Sequence, residues 1–163
     1  MIRSYVIAAM ASAILVSDPA YTATQDDNAA ATETPPQITL GNGENNAITL
    51  EDATRSGATF TFPVVRIDRN GFLVMHPFRD GAPVPTEYVG AVPVPEGTSH
   101  NVRITVTEAP ETGEMFIVML HYDMNDDRIF DFNDGITVPD APVFEGNRLI
   151  ALRYAAPADD AEQ

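Results

Sequence analysis

From residue 59 onward, apolar and polar positions repeat with a period of two rather than 3.6, which predicts strands. Val102, Ile104 and Val106 alternate with Arg103, Thr105 and Thr107, the cleanest half-buried strand in the chain. Phe60, Phe62, Val64, Val65 and Ile67 form an earlier strand that stops at Asp68-Arg69-Asn70-Gly71. Asn-Gly between two apolar runs predicts a hairpin, because both residues tolerate positive φ. The return strand is then Phe72 to Phe78. Tyr88 to Val94 is shorter, and Pro93 with Pro95 marks it as an edge. After the turn at Glu111-Thr112-Gly113, Met115 to Tyr122 is apolar on both faces and reads as a central strand. Arg148 to Ala155 is the last, and Ala47 to Asp52 is a first edge strand. Outside the N-terminus no window shows a helical period. Six to eight short strands with Pro- and Gly-rich turns predict an all-β fold, an immunoglobulin-like antiparallel sandwich; a small barrel is the alternative.

The two ends break this pattern. Arg3, the predominantly apolar 12-residue stretch Tyr5–Val16 and the small, polar stretch Ser17–Thr24 have the three parts of a signal peptide. The apolar run is shorter than the roughly 20 residues that span a bilayer. Residues 24–45 are polar and small, interrupted by Pro35-Pro36 and Gly41-Asn42-Gly43, and read as a disordered linker. The expected organisation is therefore a signal peptide at 1–23, a linker at 24–45, the sandwich at 46–155 and a disordered acidic tail at 156–163. Such a chain is exported, to the periplasm or beyond the cell.

Composition narrows the partners. Asp and Glu number 24 against nine basic residues, giving a net charge of −15. Nucleic acid and anionic membrane surfaces would repel this protein, whereas cations would be attracted. There is no cysteine, so stability must come from the core or from a metal rather than from disulfides. The same absence excludes a cysteine nucleophile. No Gly-x-Ser-x-Gly elbow and no phosphate-cradling glycine loop occurs, and the chain reads as non-enzymatic.

The sharpest motif runs from Asp123 to Asp134. Asp123, Asn125, Asp127, Asp131 and Asp134 stand at loop positions 1, 3, 5, 9 and 12, and the Ile129 carbonyl at position 7. This is the spacing by which an EF-hand-type loop gathers the six to eight oxygens that calcium requires. Two positions depart from it. Arg128 occupies position 6, where glycine normally makes the sharp turn, and Asp134 replaces the longer bidentate Glu at position 12. Five of these 12 residues are acidic, against 24 in the 163-residue chain, and such crowding is costly without a counter-ion. The alternative is a solvated acidic loop.

Two of the three histidines form a second candidate. His76 and His121 end two apolar runs, while His100 falls in a predicted turn. If the two strands are neighbours, two imidazoles with Met119, Met75 or Met124 suit copper, and with Asp123 they suit zinc. Strand-end histidines bonded to a carbonyl or to Asp123 are the alternative.

The stretch from about Thr59 to Ala155 resembles a β-sandwich domain of unknown function that recurs in haloarchaeal surface proteins and exported bacterial proteins. The likeness is carried by Asn70-Gly71-Phe72-Leu73-Val74-Met75-His76, Val89-Gly90, Val94-Pro95-Glu96-Gly97, Met119-Leu120-His121-Tyr122-Asp123 and Asp140-Ala141-Pro142-Val143. It implies an exported sandwich and no activity. It also implies a His at the positions of His76 and His121 and an Asp at Asp123. Three readings follow: a calcium-stabilised domain acting in binding or envelope architecture with an unknown protein or envelope partner, a copper- or zinc-binding protein, and a ligand-free structural module.

Overall fold

In the computed structural model, which describes residues 37–132 and 140–160, the alternating segments become twelve strands and no α-helix is found among the described residues. In chain order these are β1 (Thr39–Leu40), β2 (Ala47–Ile48), β3 (Thr54–Ser56), β4 (Thr59–Ile67), β5 (Gly71–Arg79) and β6 (Ala82–Pro83). They continue with β7 (Gly90–Val94), β8 (Gly97–Thr105), β9 (Met115–Tyr122), β10 (Phe144–Glu145), β11 (Arg148–Leu149) and β12 (Ala151–Ala155). The expected all-β architecture is present. The signal-like segment lies outside the described residues.

Two antiparallel sheets face each other. In one, β9 lies between β12 and β5, and β7 and β6 flank the far side of β5. In the other, β4 is central, with β8 along one side and β2 and β3 along the other. A small ribbon joins β1 in parallel to β11, and β11 to β10. The double-sided apolar character of Met115–Tyr122 is explained by this placement. One face of β9 meets the opposite sheet, and the other is covered by Leu149 of β11 and by the loop residues Phe130 and Phe132.

The main core lies between the sheets: Phe60, Phe62, Val65 and Ile67 from β4 against Leu73, Met75, Val118 and Leu120 from β5 and β9. Phe60 packs edge-on to Phe116 and Tyr154, at centroid separations of 5.8 and 5.9 Å, the geometry that ring quadrupoles favour.

Asn70-Gly71 does not make a hairpin. β4 pairs with β8, β2 and β3, β5 pairs with β9, β7 and β6, and the two strands belong to opposite sheets. Neither Asn70 nor Gly71 has positive φ. Asn70 works instead as a tie. Its Oδ1 accepts the N–H of Glu96 at 3.1 Å, and its carbonyl accepts the N–H of Asp123 at 3.0 Å. Gly71 is required by close approach, since a Cβ there would stand 2.1 Å from the His121 carbonyl oxygen.

Three other expectations change. His100 sits in β8 opposite Val64 and is exposed, rather than in a turn. The expected linker reaches the fold earlier, because β1 is already paired at Thr39. The expected tail is also partly built in. Ala156 is buried, its N–H donates to the Glu114 carbonyl, and Pro157 and Asp159 receive the buried Arg55 guanidinium. Composition suggested disorder there, but the Arg55–Asp159 ion pair, the burial of Ala156 and its backbone hydrogen bonds override it; residues 161–163 lie outside the described residues.

Candidate functional site

Asp123 follows directly on β9 and is 3% exposed. Its Oδ2 accepts the N–H of Arg128 at 2.9 Å, which turns the carboxylate inward over the loop, and its Oδ1 has no hydrogen-bond partner. Arg128 adopts φ of 64° and Asp126 of 59°. Position 6 of the loop thus has the left-handed conformation that glycine usually supplies, adopted here by an exposed arginine. Asn125 Nδ2 donates to Asp127 Oδ2 at 3.0 Å and to Asp131 Oδ2 at 3.1 Å. The amide therefore holds the partial positive charge that keeps these two carboxylates together. Asp127 Oδ1 accepts the N–H of Ile129 at 2.7 Å. Asp134 lies outside the described residues.

Asp140, which sequence reasoning gave no role, closes this loop. Its Oδ1 accepts the N–H of Met124 and its Oδ2 that of Asp131, both at 2.9 Å, and its own N–H donates back to the Asp131 carbonyl. Burial pushes its carboxyl above the ordinary range. The two N–H donors pull it down, and the charges of Asp123 and Asp131 push it up again. A lone Asp between prolines carries no periodic signal that would have revealed this.

The histidines are brought together. β5 and β9 are neighbours, with His76 opposite Ile117 and His121 opposite Phe72. Their ring centroids lie 5.6 Å apart, at an interplanar angle of 32°. Each residue is 2% exposed. His76 Nδ1 meets the Glu87 carbonyl at 2.6 Å, and His121 Nδ1 meets the Asp140 carbonyl at 2.9 Å. A carbonyl only accepts, so each Nδ1 carries the hydrogen and each Nε2 presents a lone pair. Neither Nε2 has a partner. Desolvation lowers both pKa values, that of His121 to about 4, against the opposing effect of the carbonyl bonds. Both rings are neutral at pH 7.

Phe130 and Phe132, from the acidic loop, pack against these rings. Phe130 is 5.1 Å from His121 and Phe132 is 5.6 Å from His76, with Tyr88 edge-on to both phenylalanines. Met119 lines a cavity of about 310 Å³ together with both imidazoles. The other two candidate methionines are elsewhere, Met75 in the main core and Met124 exposed. Among the described residues no group of three or more His, Asp or Glu side chains gathers closely enough to hold a metal ion. The zinc set of His76, His121 and Asp123 is therefore not formed, and the loop carboxylates Asp123, Asp127 and Asp131 are not gathered around one point either. Asp123 turns to the Arg128 N–H, because β9 ends at Tyr122 and the strand alternation ends with it.

A family model described as Domain of unknown function (DUF7282) matches residues 46–154, about two thirds of the chain. The chain belongs to this family. His76, His121, Met119 and the loop residues Asp123, Asn125, Asp127, Ile129 and Asp131 all fall within the family's span, as does Asp140. No curated protein and no solved structure matches the chain.

Proposed function

We propose that the chain is an exported, non-enzymatic sandwich domain whose 123–131 loop takes up one calcium ion, and that it serves in binding or envelope architecture. The observation that carries this reading is the Asp123 carboxylate. It is buried, one oxygen is pinned by the Arg128 N–H, and the other has no protein donor. A buried anionic oxygen without a partner is costly, and a cation removes that cost. Asp123 Oδ1, Asn125 Oδ1, Asp127, the Ile129 carbonyl and Asp131 offer five oxygens, and water completes the six to eight that calcium takes. In this structure the three carboxylates are not gathered, so calcium must draw Asp123 together with Asp127 and Asp131. Asn125 must also turn its amide so that Oδ1 replaces Nδ2 between the latter two. The 24 acidic residues favour any divalent cation, and the signal-like N-terminus fits a compartment where calcium is plentiful.

Thermal melting with and without millimolar calcium tests the reading. With calcium about 100-fold above Kd, the stabilisation is about 2.7 kcal/mol, a rise of roughly 5–10 °C. The Asp123→Ala, Asp127→Ala double variant should show no rise. A wild-type melting curve that calcium leaves unchanged contradicts it.

A further inference from the structure

We infer that His76, His121 and Met119 form a second, separate metal site, selective for Cu(I). The convergence of the imidazoles is not a by-product of strand pairing. His76 and His121 are diagonal across the β5–β9 ladder, each four residues from the other's partner, with the pair Val74 and Met119 midway between them. Four residues of strand span about 13 Å, yet the rings lean along their strands until the centroids are 5.6 Å apart. Carbonyls from two different connections, at Glu87 and Asp140, hold them there.

The pair then has the form that metal-ligating histidines take. Each Nδ1–H is fixed by a carbonyl and each Nε2 is left bare. A metal about 2 Å from each Nε2 lies about 3 Å from each ring centre, so rings sharing one metal have centroids within about 6 Å of each other. The observed separation satisfies that limit. Two buried acceptors without donors have no evident structural use, since each forfeits its hydration.

Donor chemistry selects the metal. Imidazole serves zinc and copper alike, but the third group at this cavity is a thioether, a soft ligand that favours Cu(I). Asp140 also lines the cavity, but its carboxylate oxygens are taken up by the N–H groups of Met124 and Asp131. Among the described residues no carboxylate gathers with the two imidazoles as a third ligand for a buried dication. Phe130 and Phe132 cover the rings and exclude water, which suits a monovalent ion of low coordination number. Because both phenylalanines belong to the acidic loop, that loop forms part of this pocket's wall. The copper reading nevertheless stands on different ligands and needs no calcium.

The test is anaerobic titration of the full chain with Cu(I) against a chromophoric Cu(I) chelator, in chelator-treated buffer and again with calcium. One equivalent should be withdrawn, and X-ray absorption should show two nitrogen neighbours at about 2 Å and one sulfur. His76→Phe and His121→Phe should each weaken retention at least a hundredfold. Met119→Leu, close to isosteric, should weaken it about tenfold and remove the sulfur signal while the melting temperature holds. Failure to withdraw copper overturns the inference, as do equal retention by Met119→Leu and tighter binding of zinc. None of these outcomes bears on the calcium loop, which is read separately through Asp123.

Discussion

The backbone N–H of Arg128 donates to the Asp123 carboxylate at 2.9 Å, and Arg128 makes that bond from φ of 64°. The arginine that seemed to spoil the loop spacing thus takes up the conformation expected of glycine at that position. A non-glycine residue in the left-handed region carries roughly 1 kcal/mol of strain. Arg128→Gly should therefore raise unfolding stability by about 0.5–1 kcal/mol in urea titrations, offset in part by the greater freedom of glycine in the unfolded chain. Arg128→Val should lower it by about 1–2 kcal/mol. Equal stability of the three proteins would show that the 64° conformation is not held in solution.

Gly71 lies against the same end of β9, opposite Tyr122. A methyl group there would meet the His121 carbonyl oxygen at 2.1 Å and Ile67 Cδ1 at 2.6 Å. The oxygen belongs to backbone and cannot rotate away. Gly71→Ala should lose at least about 2 kcal/mol, measured by the same titration, whereas Gly57→Ala, with nothing within 4 Å but φ of 60°, should lose only about 1 kcal/mol. A loss at Gly71 no larger than at Gly57 would count against the packing of β5 on β9.

Protonation gives a prediction with a definite sign. In the metal-free protein, burial lowers the His121 pKa from 6.5 to about 4, and His76 shifts in the same direction. Between these values the unfolded chain binds protons that the folded chain does not, so stability is full above about pH 6.5 and falls as pH drops toward 4. Going from pH 7 to 5 should cost the wild type about 2 kcal/mol more than it costs His121→Phe. Parallel pH profiles of the two proteins would argue against a buried neutral ring.

The segment after β12 should prove structural. Arg55, 4% exposed, donates to the carbonyls of Gly57 and Pro157 and pairs with Asp159 at 3.1 Å. Truncation after Ala155 strips two of these partners from a buried cation, and about 2–4 kcal/mol should be lost. Unchanged stability would restore the reading of residues 156–163 as a tail.

The strands were legible because half-burial writes itself as alternation, as in Val102–Thr107, and because β9, covered on both faces, reads as a continuous apolar run. Pairing was not legible in the same way. Asn70-Gly71 carries a hairpin signal, yet here Asn70 ties three connections together and Gly71 makes room for a carbonyl. In the loop, ligand spacing could be read directly, but the φ of Arg128 and the clamp from Asp140 are tertiary. The two histidines were visible as candidates. What makes them a pair is the lean of their side chains and the carbonyls of Glu87 and Asp140, neither of which leaves a local trace.

Isothermal titration of calcium into the metal-free chain addresses the loop most directly, with Asp123→Asn as its partner, since that change keeps the shape of the side chain and removes the charge of its buried oxygen. The account predicts one site in the wild type, a calcium affinity at least tenfold above that for magnesium, and a loss of at least a hundredfold in Asp123→Asn. Absence of binding heat in the wild type together with unchanged melting, or equal binding by Asp123→Asn, would contradict it.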